Sequence, residues 1–265
     1  MRKKAIFFLL VLALGFVQSC KPPVDLFDFP PYQRDKKSLV VLLTAVWNDY
    51  AGETGQPNFV GAVADSFGTT VVPIVAHAAT TGDPYYSLAA SQFYSLYNAE
   101  SYPELGLNTQ GFAFRLNDWI LATKAAAIEI VGGVSGPAKP KLVMALSKKV
   151  EGSNFRMKAR IRFEEEMVGD TLHLAIYVTE NNVIGFQEGA PQREISHMHV
   201  LRGAATPGAW GIFMGGGSFK KGQVLEYEFA FPINAFMNAN NLTANGVVYR
   251  MVNQQPAEVM NANFR

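Results

Sequence analysis

Residues 39–43 form an unbroken apolar run, Leu-Val-Val-Leu-Leu, the pattern of a strand buried on both faces. A polar, Gly-containing loop is predicted over 48–56. Pro57 then suits the first turn of a helix, with Phe59, Val60, Val63 and Phe67 as its apolar stripe and Gly68 as its C-cap. A second buried strand is predicted over 71–75 and a helix over 87–97. Two short extended pieces follow at 104–108 and 111–114. Asn117 is positioned to cap a further helix carrying Trp119, Ala126, Ala127 and Ile130 at helical spacing. The order strand, helix, strand, helix, hairpin, helix describes an α/β unit.

The Gly- and Pro-rich stretch 132–140 ends that unit, and beyond it the period changes to two. Phe155, Met157, Ala159, Ile161 and Phe163 alternate with Arg156, Lys158, Arg160 and Arg162, while Leu172, Leu174, Ile176 and Val178 line one face of the next strand. Further strands are predicted at 142–147, 195–202, 224–231 and 247–252, and Gly215-Gly216-Gly217 reads as a hairpin turn. Alternating strands between turn signals predict an antiparallel β-sandwich. The basic ladder reads as a solvated sheet face paired with acids such as Glu226 and Glu228.

The first twenty residues follow a different logic. Arg2, Lys3 and Lys4 precede an apolar run over 5–17, about 20 Å of helix at ~1.5 Å per residue. A bilayer core is about 30 Å thick, so a basic start with so short a run reads as a secretory signal rather than a membrane span. It ends in Val17-Gln18-Ser19-Cys20, which resembles the lipobox of bacterial lipoproteins. That resemblance implies cleavage before Cys20 and acylation of its thiol and amino group. Two or more acyl chains give stable anchoring. The chain is thus divided into a signal peptide (1–19), a lipidated cysteine with a Pro-rich tether (20–37), an α/β domain (38–133) and a β domain (138–265).

Composition narrows the function. Cys20 is the sole cysteine, so once it is acylated no thiol remains for a disulfide, a thiolate metal site or thiol chemistry. Loss of residues 1–19 removes Arg2, Lys3 and Lys4 and no acid. That leaves 20 basic against 22 acidic side chains, a net charge of −2, which disfavours a nucleic-acid partner.

Several segments carry a family resemblance. Glu180-Asn181-Asn182-Val183-Ile184-Gly185-Phe186-Gln187 is followed by His197-Met198-His199-Val200-Leu201-Arg202, and the ending, Val252 to Asn263, contains Ala257-Glu258-Val259-Met260-Asn261-Ala262. These resemble the outer membrane protein 28-related lipoproteins of Bacteroidota. The resemblance implies a thioredoxin-like fold for the first half, followed by the β-sandwich. Aligned on Pro57, Glu53 and Gln56 stand where a thioredoxin's two cysteines would be, and Pro103 where its cis-proline would fall. Disulfide exchange requires a thiolate attacking sulfur, and neither Glu53 nor Gln56 supplies one.

Other chemistry is sparse. His197 and His199, two apart on a predicted strand, would share a face and could hold one Zn²⁺, with His173 or Glu180 completing the set. The competing reading is a polar network locking consecutive strands together. His77 follows a buried strand, at the edge where α/β sheets bind ligands, and reads as a capping or packing residue. Asp170-Thr171-Leu172 matches the short O-glycosylation signal of exported proteins in this bacterial group, making Thr171 a candidate acceptor. The expected protein is a non-enzymatic lipoprotein of the outer membrane, binding no cofactor. It would be held by its lipid on the periplasmic or the outer side and bind or scaffold an envelope protein or ligand. The alternative is metal-dependent activity at His197 and His199.

Overall fold

The structure, a computed structural model, describes residues 28–49, 66–78, 82–100, 102–112 and 139–265. The fold is rich in β-structure and arranged in three layers around one large sheet. Strands β1 (Ser38–Thr44) and β2 (Val71–His77) pair in parallel, and every residue of both is buried. β3 (Glu104–Leu107) runs antiparallel to β1, and β4 (Gln110–Phe112) closes a hairpin with it. Between β2 and β3 in the chain lies helix α1 (Leu88–Leu96), whose Ser87 Oγ caps it by accepting from the Ala90 N–H at 3.2 Å. The helix predicted from Pro57 and the one predicted over 117–130 fall largely or wholly outside the described residues.

The remaining strands are β5 (Leu142–Glu151), β6 (Asn154–Phe163), β7 (Met167–Glu180), β8 (Val183–Phe186), β9 (Glu194–His197), β10 (Val200–Ala204), β11 (Ile212–Phe219), β12 (Val224–Pro232), β13 (Leu242–Val252) and β14 (Gln255–Phe264). The large sheet has the order β14-β13-β7-β10-β2-β1-β3-β4, with β11 also pairing to β7. Sheet bonding therefore passes between the two halves that the sequence separates. The seam is β10 against β2, with Val200 opposite Val75 and the Val75 N–H donating to the His199 carbonyl at 2.8 Å.

Strand β7 explains the layering. Leu172, Leu174, Ile176 and Val178 point to one face, where they meet the inward side of a three-stranded sheet, β12-β6-β5. Phe155, Met157, Ala159, Ile161 and Phe163 of β6 fill that space, and Phe163 stacks on Phe219 at 4.5 Å. Ala175 and Tyr177 point to the other face, toward Phe93 of α1 at 5.2 Å and a buried Tyr177–Tyr249 hydroxyl pair. Two faces, each packed against a covering layer, are what a strand with no solvent side requires.

Two side chains of β14 tie the layers together. Asn261 Nδ2 donates to the Leu142 carbonyl and Asn263 Nδ2 to the Met144 carbonyl, so the free edge of β5 is capped by side chains. Their carbonyl oxygens accept from the Lys37 backbone N–H and Lys37 Nζ, which anchors the chain just before β1.

Four expectations are corrected. The triple glycine lies inside β11, where shifts in pairing at Phe213/Gly215 and Gly216/Ser218 accommodate the extra length as bulges. β5 extends to Glu151 rather than ending at 147. The strand predicted over 195–202 is broken into β9 and β10, because His199 takes a left-handed conformation with φ +55°. Residues 28–37 do not stand free as a tether: Phe29 lies 4.1 Å from the Arg160 guanidinium, Tyr32 lies 4.5 Å from that of Arg162, and Lys37 is buried. The arginines of the basic ladder also pair with acids, Arg160 with Glu226 at 2.6 Å, Arg162 with Glu164 at 2.6 Å, and Arg156 with Glu151 at 2.6 Å and with Glu228.

Candidate functional site

The C-terminal ends of β1 and β2 meet a buried polar cluster built from both halves of the chain. His77 is the last residue of β2 and is fully buried. Its Nδ1 donates to Asp83 Oδ2 at 2.9 Å, and the same carboxylate accepts the N–H groups of Val46 and Tyr85, each at 2.9 Å. Burial by itself raises the pKa of Asp83. The His77 hydrogen bond and charge, with the two backbone donors, outweigh that and hold it below the ordinary carboxylate value. Tyr85 lies edge-on between His77 and His197, 5.1 Å from each, and the two imidazoles are 5.8 Å apart.

His197 reaches this cluster from β9. Burial, then the neighbouring His77, pushes its pKa down to about 4, against a smaller opposing pull from the Gly185 and Phe186 backbone. The imidazole is therefore neutral at ordinary pH. Neither of its nitrogens, nor Nε2 of His77, forms a hydrogen bond of normal geometry with the described residues.

Around the cluster, Gln187 Nε2 donates to the carbonyls of Ala45, Val46 and Asn48 at 3.3, 3.2 and 2.9 Å, and the Glu188 N–H donates to Val46. Arg202 Nε donates to Glu180 Oε2 at 2.7 Å, with both side chains almost wholly buried, while Glu180 Oε1 accepts the Asn238 N–H at 2.7 Å. The Arg202 guanidinium also lies 5.4 Å from the Tyr85 ring. Asn181 Oδ1 accepts the His199 N–H at 2.9 Å, fixing the left-handed turn. Gly185 packs under Tyr85 so closely that a Cβ would stand 1.7 Å from the hydroxyl oxygen.

The model of the outer membrane protein Omp28 family matches residues 90–263, about two thirds of the chain. The chain belongs to this family. No curated protein matches it. Among solved structures, HBP35 of Porphyromonas gingivalis is 13% identical with a TM-score of 0.71, covering 89% of this chain and 76% of that one. That likeness establishes a shared fold. A domain of the outer membrane lipoprotein Omp28 from Porphyromonas gingivalis is 16% identical over 47% of this chain and 86% of that one, at a TM-score of 0.31.

Within this Omp28-family chain, the two quoted segments, 180–187 and 197–202, converge on the seam between the halves. Glu180, Gln187, His197 and Arg202 each contact a neighbour across or beside it. The metal reading is corrected. His197 turns into the cluster with His77, whereas His199 lies beside Pro73, Asn181 and Thr243. The left-handed residue interrupts the strand, so spacing by two no longer means one face. Glu180 is held by Arg202, and His173 sits against Phe213 at 5.9 Å. Among the described residues no group of three or more His, Cys, Asp or Glu side chains could hold a metal ion.

The Tyr102–Pro103 peptide bond is cis, and the Tyr102 carbonyl accepts from Asn48 Nδ2 at 2.9 Å. Trp47 packs on Tyr102 at 5.7 Å and remains 47% exposed, forming an aromatic ledge beside the cluster. Thr171 is exposed on β7, opposite Gly216. Cys20, Glu53 and Gln56 lie outside the described residues. Asp83, the hub of the cluster, escaped the sequence reading. Its signal was present as Gly82-Asp83-Pro84, a turn five residues after a strand ending in histidine.

Proposed function

We propose that this protein is an outer-membrane-anchored lipoprotein, tethered through Cys20, whose thioredoxin-like first half is redox-inactive and serves non-catalytic binding or scaffolding in the envelope. The thioredoxin-like reading is supported by the parallel pair β1–β2 followed by the antiparallel hairpin β3–β4, with α1 between them. Outer-membrane anchoring is supported by family membership and the lipobox-like Val17-Gln18-Ser19-Cys20. The observation that carries the binding role is what occupies the sheet edge where such folds place their chemistry. There Asp83, Gln187, Glu180 and Arg202 are held by hydrogen bonds to each other, to His77 or to backbone groups, while Trp47 (47% exposed), Ile184 (66%) and Phe186 (41%) are left to solvent. Aromatic and aliphatic surface, with no cysteine among the described residues, suits recognition rather than turnover.

Envelope fractionation tests the anchor. Wild-type protein should label with palmitate and sediment with the outer membrane, and Cys20→Ala should do neither. A photo-reactive residue in place of Trp47 tests the binding ledge. It should yield one discrete crosslinked product in cells, whereas the same residue at Val252 should not. Equal products from both positions would remove the case for the ledge. A mixed disulfide trapped with a partner would overturn the redox-inactive reading. If Thr171 carries a glycan, the peptide containing it will show the added mass.

A further inference from the structure

We propose that one end of the three-stranded sheet, the β5–β6 turn with the loop after β12, rests on the phospholipid surface and that Phe236 inserts into it. The inference depends on Cys20 being the lipid anchor. Its geometry comes from the docked segment 28–37. In reverse chain order, Tyr32 lies on Arg162, Phe29 lies on Arg160, and Asp28 borders the hollow with Lys158 and Glu228. The segment therefore runs along β6 toward the start of that strand. Asn154 is four residues beyond Lys158, about 13 Å at ~3.3 Å per residue. Cys20 is eight residues from Asp28, so it lies within about 28 Å even when fully extended. Were the chain free as far as β1, its reach would be about twice that. Residues 32 to 28 thus lead along β6 toward the Asn154 end, and the eight residues from Asp28 to Cys20 are long enough to set the anchor beyond it.

That end has its own apolar surface. Pro232 pairs with Asn154, and the Ile233 N–H donates to the Ser153 carbonyl at 2.8 Å, which places the following loop beside the β5–β6 turn. On this loop Phe236 is 89% exposed, and Val150 in the adjoining strand is 48% exposed. The loop is shaped rather than slack: Asn234 Oδ1 accepts the Phe236 N–H, and the Asn238 N–H is held by Glu180. Lys149, Glu151 and Arg156 flank it as ion pairs. An exposed phenylalanine rimmed by charged side chains suits the boundary between headgroups and acyl chains, where the apolar side chains of peripheral proteins bury.

The lipidated protein is reconstituted into vesicles of phosphatidylethanolamine and phosphatidylglycerol. Because Cys20 is blocked by acylation, a single new thiol can carry a fluorophore, placed by Ala235→Cys at this end or by Val252→Cys at the opposite end of β13. A quencher attached to lipid headgroups is expected to quench position 235 at least threefold more than position 252. Phe236→Ser should reduce quenching at 235 by half or more, and Phe29→Ala with Tyr32→Ala should shrink the contrast between the two positions. Failure of the lipidated protein to float with the vesicles would overturn the anchor at Cys20, and the orientation with it. Flotation with equal or reversed quenching would overturn the orientation alone, and an unchanged contrast in the Phe29/Tyr32 variant would overturn the docked segment's part in it.

Discussion

Removal of one member of the Glu180–Arg202 pair gives the sharpest test of the seam. The carboxylate accepts Arg202 Nε at 2.7 Å on one oxygen and the Asn238 N–H at 2.7 Å on the other, with side chains only 4% and 9% exposed. Arg202→Ala leaves a buried carboxylate that has lost its counter-charge and also strips Tyr85 of its stacked cation. Glu180→Ala leaves a buried guanidinium and an unpaired Asn238 N–H. Breaking a buried pair by deleting one partner costs about 3–5 kcal/mol, since the survivor is a desolvated charge. Deleting both, as Glu180→Ala with Arg202→Ala, leaves no lone charge, so its cost should fall short of the sum of the single variants by about 1–3 kcal/mol. Urea unfolding of the body, followed by tryptophan fluorescence and far-UV circular dichroism, measures this. With a slope of about 2 kcal/mol per molar, each single variant should lower the midpoint by roughly 2 M. Both probes should report one transition, because the large sheet joins the halves. Single variants within 1 kcal/mol of wild type, or losses that simply add, would refute the idea that the pair is a desolvated lock.

Three further outcomes follow from the same geometry. His197 has a folded pKa of about 4 against an ordinary 6.5, so the unfolded chain binds the proton more readily. Stability should be fully present above pH 6.5 and decline as pH falls toward 4, by on the order of 3 kcal/mol, with the depressed Asp83 adding a further loss below its ordinary carboxylate range. A pH series of unfolding midpoints should flatten in His197→Phe. Gly185→Ala should cost about 1–3 kcal/mol through the clash with the Tyr85 hydroxyl. Tyr85→Phe in the same chain should restore part of that loss by thermal melting. Asn261→Leu should destabilise by about 2–3 kcal/mol, because the Leu142 carbonyl and the Lys37 N–H both lose a buried partner. Hydrogen exchange at Lys37 and along β5 should accelerate in that variant.

Features that depend on local periodicity and on inventory were legible along the chain. Alternation by two placed β6 and the core face of β7, and an unbroken apolar run marked β1. Ser87 marked the start of α1, and a single cysteine excluded a dithiol. Each of these is written in neighbouring residues or in a count. Tertiary structure decided what depends on which distant groups share a desolvated space. Asp83 became a hub because its turn brings it back against His77 and the Val46 N–H. His197 and His199 parted company because His199 is left-handed, its N–H held by the Asn181 side chain. The halves became one sheet because β10 pairs with β2 on one side while it pairs with β7 of its own half on the other. Segment 28–37, read as a tether because prolines and charges resist regular structure, is held by arginines more than a hundred residues away. The burial of an ion pair or an imidazole is set by the atoms packed around it, and no spacing along the chain records them.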